Sequence, residues 1–392
     1  VRKDTSLQKT PTSSSFETTV NKVILNRVQF SMVDSSRNKW FRFQFRHVES
    51  DIEQHAPVTN AVISGSIHFD GLTFNPDKGS YLLNKDLAVK IKLNYDAAKQ
   101  AIKIFPSDIK STTSDFSLHG NFSFAGAPHM HLEIYAPKIS MSEAPSIVTQ
   151  NIADKLAAYA LENPAMIAVF IDGSIAPGSK PAADVYFKTT DNILDLKTKS
   201  FTGTTMLGWF TNHIDTAQIN DDHNSRLVIP HFTGNLGGVP LQAKMIITDL
   251  LDPHLFMDAK VNMRLDDAND LVDSTLMSFG GGSISVSFNY DGKLVNYVDT
   301  ANEKLLAKVH GKLDVANGQV TYLPRGFDFT NINTSMEFND SVLTIEYVDV
   351  SINKNPIRIT GNIKRFIPFL FLPKYNLVAD LQVNAPSLNF DN

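Results

Sequence analysis

The chain has 392 residues, 42% of them hydrophobic and 20% charged, with a formal net charge of −5 and no cysteine. That length suffices for two or three domains with a sizeable apolar core. The charge balance advertises no basic nucleic-acid-binding face, and the missing cysteines exclude disulfides and thiolate metal sites.

In chain order, residues 1–20 are rich in Ser, Thr and Lys and read as a disordered leader. Strand patterning begins at Asn21. Alternation puts Val28, Phe30 and Met32 on one face, then Phe41, Phe43 and Phe45. The same period follows in Leu87, Val89, Ile91, Leu93 and Tyr95, in Ile102 and Ile104, in Phe116, Leu118, Phe122 and Phe124, and in Leu132 and Ile134. Gly, Asn, Asp and Pro separate these short runs, as in an antiparallel meander. Ile152, Leu156 and Tyr159 predict a helix over 142–161, stopped by Asn163-Pro164. β patterning returns over 166–260, and a second, shorter helix is expected from Asp266 to Phe279, before Gly280-Gly281-Gly282. No apolar run reaches the roughly 18 residues of a membrane-crossing helix; Phe366-Ile-Pro-Phe-Leu-Phe-Leu-Pro373 is short and bracketed by prolines.

The end of the chain repeats its beginning. Gly65-Ser-Ile-His-Phe-Asp-Gly71 corresponds to the stretch from Gly311, Leu118-His-Gly-Asn121 to Ile359-Thr-Gly-Asn362, and Ala136-Pro137 to Ala385-Pro386. Such a unit cannot bury its apolar face alone and must stack on a neighbour. The expected organisation is a first β-groove module over 21–141, a helix and middle β module over 142–282, and a second groove module over 283–392 that continues past the segment. The expected fold is mainly β: an elongated, twisted antiparallel sheet forming an open groove from repeated modules, with one or two short helices.

Candidate chemistry is sparse. His129 and His131 share a strand face but have no third ligand at a suitable spacing. Asp221-Asp222-His223 sits in a polar turn, and Asp266, Asp267, Asp270 and Asp273 lack the Gly and Glu of a calcium loop. Gly280-Gly281-Gly282-Ser283 precedes a strand and lacks the lysine of a phosphate-binding loop. No nucleophile elbow or metalloprotease helix occurs, and the chain reads as a non-enzyme with no cofactor and no metal.

The ordered set of motifs resembles the AsmA-like family of bacterial envelope proteins, in a form typical of Bacteroidetes. It comprises the strand Leu25–Asp34, then Gly65–Gly71, Leu93-Asn-Tyr-Asp96, Leu118–Asn121, Phe170-Ile-Asp-Gly-Ser-Ile175, Lys180–Asp184 and the C-terminal repeat from Gly311 to Pro386. The resemblance implies a periplasmic β structure held at the inner membrane by an N-terminal helix that this segment lacks. Related TamB-like and bridge-like proteins carry phospholipid along an apolar β groove. The family has no defining catalytic motif, so no catalytic residue carries over.

Alternation selects the expected groove lining. In the first repeat it is Leu87, Val89, Ile91, Leu93, Ile102, Ile104, Leu118, Phe122, Leu132 and Ile134. In the second it is Met336, Phe338, Leu343, Ile345, Ile357, Ile359, Ile363, Leu381 and Val383. The expected function is binding of phospholipid or another acyl-chain lipid, in support of lipid transport between membranes or outer-membrane assembly. Further envelope proteins are possible partners, and nucleic acid is not. Two other readings stay open: an envelope scaffold acting by β-strand pairing, and a carbohydrate-active β protein, for which Trp40 and Trp209 are few stacking residues.

Overall fold

The computed structural model describes residues 19–386 apart from 35–38, 76–78, 149, 158, 177, 197–198, 272–274, 296–297, 300–303, 353 and 372–375. The expected leader therefore falls, up to residue 18, outside the described residues. The chain opens with β1 (Lys22–Asp34), β2 (Lys39–His55), β3 (Val58–Asn75), β4 (Gly79–Tyr81), β5 (Lys85–Asp96), β6 (Ala101–Lys110), β7 (Asp115–Ser123) and β8 (His129–Ile139). Two short helices, α1 (Ala144–Ile147) and α2 (Gln150–Leu156), lead to β9 (Ala160–Leu161), β10 (Ala165–Ser174), β11 (Ala182–Asp195) and β12 (Ser200–Thr211). Next come β13 (Arg226–Leu236), β14 (Val239–Thr248), β15 (His254–Arg264), β16 (Met277–Phe279) and β17 (Ser283–Lys293). A separate small hairpin, β18 (Val298–Asp299) and β19 (Lys304–Leu305), precedes β20 (Ala307–Tyr322), β21 (Phe327–Phe338), β22 (Val342–Ile352), β23 (Asn355–Lys364), α3 (Phe366–Phe371) and β24 (Val378–Asn384).

All strands but β18 and β19 belong to one 22-stranded sheet. Nineteen of them form a single antiparallel ladder in which each strand pairs with the next along the chain. The short β4, β9 and β16 lie at strand ends on β3, β11 and β20. The ladder runs without a break past residues 142 and 282: β8 pairs with β10, and β15 with β17.

The sheet is open, not closed, and strand makes up 71% of the structure, so almost no second layer covers it. Open sheets of more than roughly ten strands curl, because the right-handed twist accumulates. The repeated glycines mark where neighbouring backbones approach most closely. A Cβ on Gly120 would lie 2.3 Å from the His131 carbonyl oxygen, and one on its repeat partner Gly361 would lie 2.2 Å from that of Asp380. Only a residue without a side chain permits the next strand that close.

Two expected helices differ. The span 142–161 holds the short helices α1 and α2 and then strand β9, because the Ile147 carbonyl accepts a hydrogen bond from Leu82 N (3.3 Å) instead of continuing a helix. The span from Asp266 is a 3₁₀ turn over Asp266–Leu271, and its end is strand β16. Asn269 enforces this: its amide bonds the Phe279 carbonyl (2.8 Å) and accepts from the Phe279 N–H (2.7 Å), which draws the segment onto the sheet.

Candidate functional site

Cross-strand partners share a face, so the registers trace the sheet's inner surface strand by strand. One row begins at Phe45, Ile67 and Leu87. A second runs Leu93, Ile104, Gly120, Leu132, Ile171. On the same face a separate row runs through the middle strands as Ile229, Met245, Met257, Tyr290 and Val309. In the second repeat the row is Leu313, Met336, Ile345, Gly361 and Leu381. The three clusters of buried side chains, centred on Val48, Ala136 and Phe232, all lie on this face. They bury one another with almost no covering layer, which a flat sheet would not allow. This inner face is the apolar face of the open sheet.

Every residue expected to line the groove is on this one face. Leu87, Val89, Ile91, Leu93, Ile102, Ile104, Leu118, Phe122, Leu132 and Ile134 follow one another across β5 to β8. Met336, Phe338, Leu343, Ile345, Ile357, Ile359, Ile363, Leu381 and Val383 do so across β21 to β24. Leu87, Val89, Leu343 and Ile345 are buried, whereas Leu381 and Val383 are exposed on β24, whose far edge has no strand against it among the described residues.

Sequence reasoning missed the middle of the lining: Val169, Ile171, Phe187, Phe210, Ile229, Met245 and Phe288. The signal was present in runs such as Val185-Tyr-Phe187 and Met245-Ile-Ile247. Those runs are apolar on both faces and so hide the alternation. An aromatic cluster floors the groove near its start, with Phe43 stacked on Phe30 at 4.7 Å and edge-on to Phe45 at 5.2 Å.

A strap crosses one rim. The segment from Ser140 to Val148 leaves β8 and runs back over the ends of β7, β6 and β5. Ile147 packs on the cluster of Ala136, Ile139, Phe116 and Ile167. Glu143 is buried, and its carboxylate accepts hydrogen bonds from Thr113 and from Ser114 Oγ (2.5 Å), with Lys85 Nζ 3.7 Å away. Burial pushes that carboxyl up. The hydroxyls of Ser111, Ser114 and Thr113 and the Lys85 ammonium outweigh burial and hold it below the usual carboxylate range.

The outer face is where the candidate ligands fall. His131 stands between two carboxylates, with Nε2 2.9 Å from Glu133 and Nδ1 3.0 Å from Asp172. His119 reaches Glu133 at 3.1 Å and His129 reaches Asp172 at 3.4 Å. Donation of its ring N–H groups to the carboxylates of Glu133 and Asp172 raises the His131 pKa. His223 pairs with Asp249 at 3.1 Å in its turn, and Asp266 with Arg264 at 2.5 Å. Asp273 lies outside the described residues. Among the described residues no group of three such side chains is placed to hold a metal ion, and no helix is long and apolar enough to cross a membrane.

Compared with protein-family models, with curated proteins and with solved structures, the chain matches none of them.

Proposed function

We propose that the protein is a non-enzymatic lipid-binding protein of the bacterial cell envelope, whose apolar groove holds acyl chains. The observation that carries this reading is the continuity of one apolar face through a ladder of nineteen strands with almost nothing laid over it. Exposed apolar surface on that scale is a binding surface. An acyl chain lying in the groove gains about 0.8 kcal/mol for each CH₂ removed from water. That suffices for retention without a specific polar contact, and it lets a chain slide from strand to strand. The resemblance of the motif order to AsmA-like proteins supports a periplasmic location, an inner-membrane anchor, and a role in phospholipid transport or outer-membrane assembly.

Native mass spectrometry of the protein purified from cells, followed by lipid extraction, tests this. Bound phospholipid released by organic solvent is the expected result. A clean apo mass that stays empty after incubation with phospholipid would overturn it. A second reading, a scaffold acting by strand addition, draws on β1 and β24, each of which pairs on one side only among the described residues. A protein partner retained without lipid and lost on a proline substitution in β24 favours that reading.

A further inference from the structure

The outer face of β11 to β15 carries a row that the groove does not use. Register places Tyr186, Trp209, Val228, Ile246 and Phe256 side by side, one from each of five adjacent strands. Tyr186, Ile246 and Phe256 are 43%, 39% and 42% exposed, Trp209 is half-buried, and Val228 is buried between its larger neighbours. On β10 Phe170 stands opposite Asp184 and leans diagonally, its ring edge-on to Tyr186 at 5.7 Å. At the strand spacing of about 4.8 Å the row from Tyr186 to Phe256 is roughly 19 Å long.

Two residues along each strand, on the same face, lies a second row made wholly of hydrogen-bonding side chains: Asp184, Thr211, Arg226, Thr248 and His254. Its ends are fixed from outside the row. His213 Nε2 lies 3.1 Å from Asp184, and His254 Nε2 lies 2.6 Å from Asp291. Its centre is unsatisfied: Thr211 Oγ1 and Arg226 Nε are buried and have no hydrogen-bond partner. Buried polar atoms of this kind cost about 1–3 kcal/mol each, so two on neighbouring strands call for an explanation.

We propose that this strip binds a carbohydrate chain laid across the strands. The ligand must offer an apolar surface to the first row and hydrogen-bonding groups to the second, and must repeat that offer at each step. A pyranose does both, with its C–H face on a large side chain and its hydroxyls at the ring edge, and one strand spacing is close to the advance of one ring along a chain. Leu207 widens the apolar row at one point, and Lys188 and Lys244 bound it on the far flank.

The test is affinity electrophoresis of the intact protein through native gels containing hydroxyethylcellulose, xylan, mannan or dextran. Retardation by at least one polymer is expected, weakened at least tenfold by Trp209→Ala and by Phe256→Ala. Because the chain has two tryptophans, Trp40→Phe leaves Trp209 as the only indole, and its emission should shift on adding the retarding polymer. Should Trp209→Ala disturb folding, Thr211→Val and Arg226→Gln test the polar row, and each should weaken retardation. Unretarded migration in every gel with Trp209 emission unchanged overturns the proposal, as does retardation that these substitutions leave intact. A protein held by the strip through polysaccharide competition overturns it in favour of protein docking. The strip and the groove lie on opposite faces, so lipid loading of the Trp209 variant should stay normal whichever way the gels run.

Discussion

A Cβ built on Gly65 falls 2.1 Å from the carbonyl oxygen of His47, and the backbone there has φ +147°. Its counterpart in the repeat, Gly311, would meet Ser287 O at 2.3 Å. Gly65→Ala should therefore destabilise by at least about 2 kcal/mol, from strain and collision together. Gly281, whose Cβ would touch nothing, is the control. Chemical denaturation of the three alanine variants should rank Gly281 near wild type and the other two well below it.

Charge on the groove face separates binding from folding. Leu381 is 41% exposed and Leu87 only 6%. Leu381→Asp should keep the fold and lose bound lipid, whereas Leu87→Asp should unfold the protein, because a buried unpaired carboxylate costs several kcal/mol. Leu132→Asp should fall between them. Circular dichroism and lipid extraction on the same preparations read both effects, and normal loading of a folded Leu381→Asp or Leu132→Asp would refute the groove assignment.

The strap is held by a titratable group. The folded Glu143 carboxyl titrates below its unfolded value of 4.5, so its contribution is present above that pH and fades as pH falls through the lower folded value. Glu143→Ala should cost about 1–3 kcal/mol at neutral pH. Its deficit against wild type should shrink in acid. Hydrogen exchange of the Leu82 amide, which bonds the Ile147 carbonyl, should quicken in the variant if the strap loosens as a unit.

On the outer face the sign reverses. The folded His131 pKa lies above 6.5, so its bonds to the carboxylates of Glu133 and Asp172 stabilise fully below that pH and are lost as pH rises through the raised value. His119 and His129 share those carboxylates. With the His131 side chain 40% exposed, solvent screening keeps the gain under about 1 kcal/mol. His131→Gln should narrow the difference in melting temperature between pH 5.5 and pH 8, and added salt should do the same in wild type.

Strand existence and the inward-facing residues were legible wherever one face meets water, since alternation is then enforced by burial. Leu87 to Tyr95 and Leu343 to Ile345 are examples. The repeat was legible because its glycines are required by close backbone approach, which fixes their place in each copy. The helices over 142–161 and 266–279 were misread because long-range bonds, Leu82 to Ile147 and Asn269 to Phe279, override local spacing. The outer row through Trp209 was invisible for a different reason. Its members come from five strands, and only the register brings them into line.

The ladder has nineteen strands among the described residues, and an odd number sets the polarity of its ends: β1 and β24 run the same way. Copies translated end to end would meet strand to strand in parallel, against the alternation kept at every other step. A copy turned about a two-fold axis normal to the sheet would instead meet its mate antiparallel, with both grooves opening to the same side. Among the described residues, the alternation kept along the ladder would thus pass unbroken across a joint made by rotation and be broken by one made by translation.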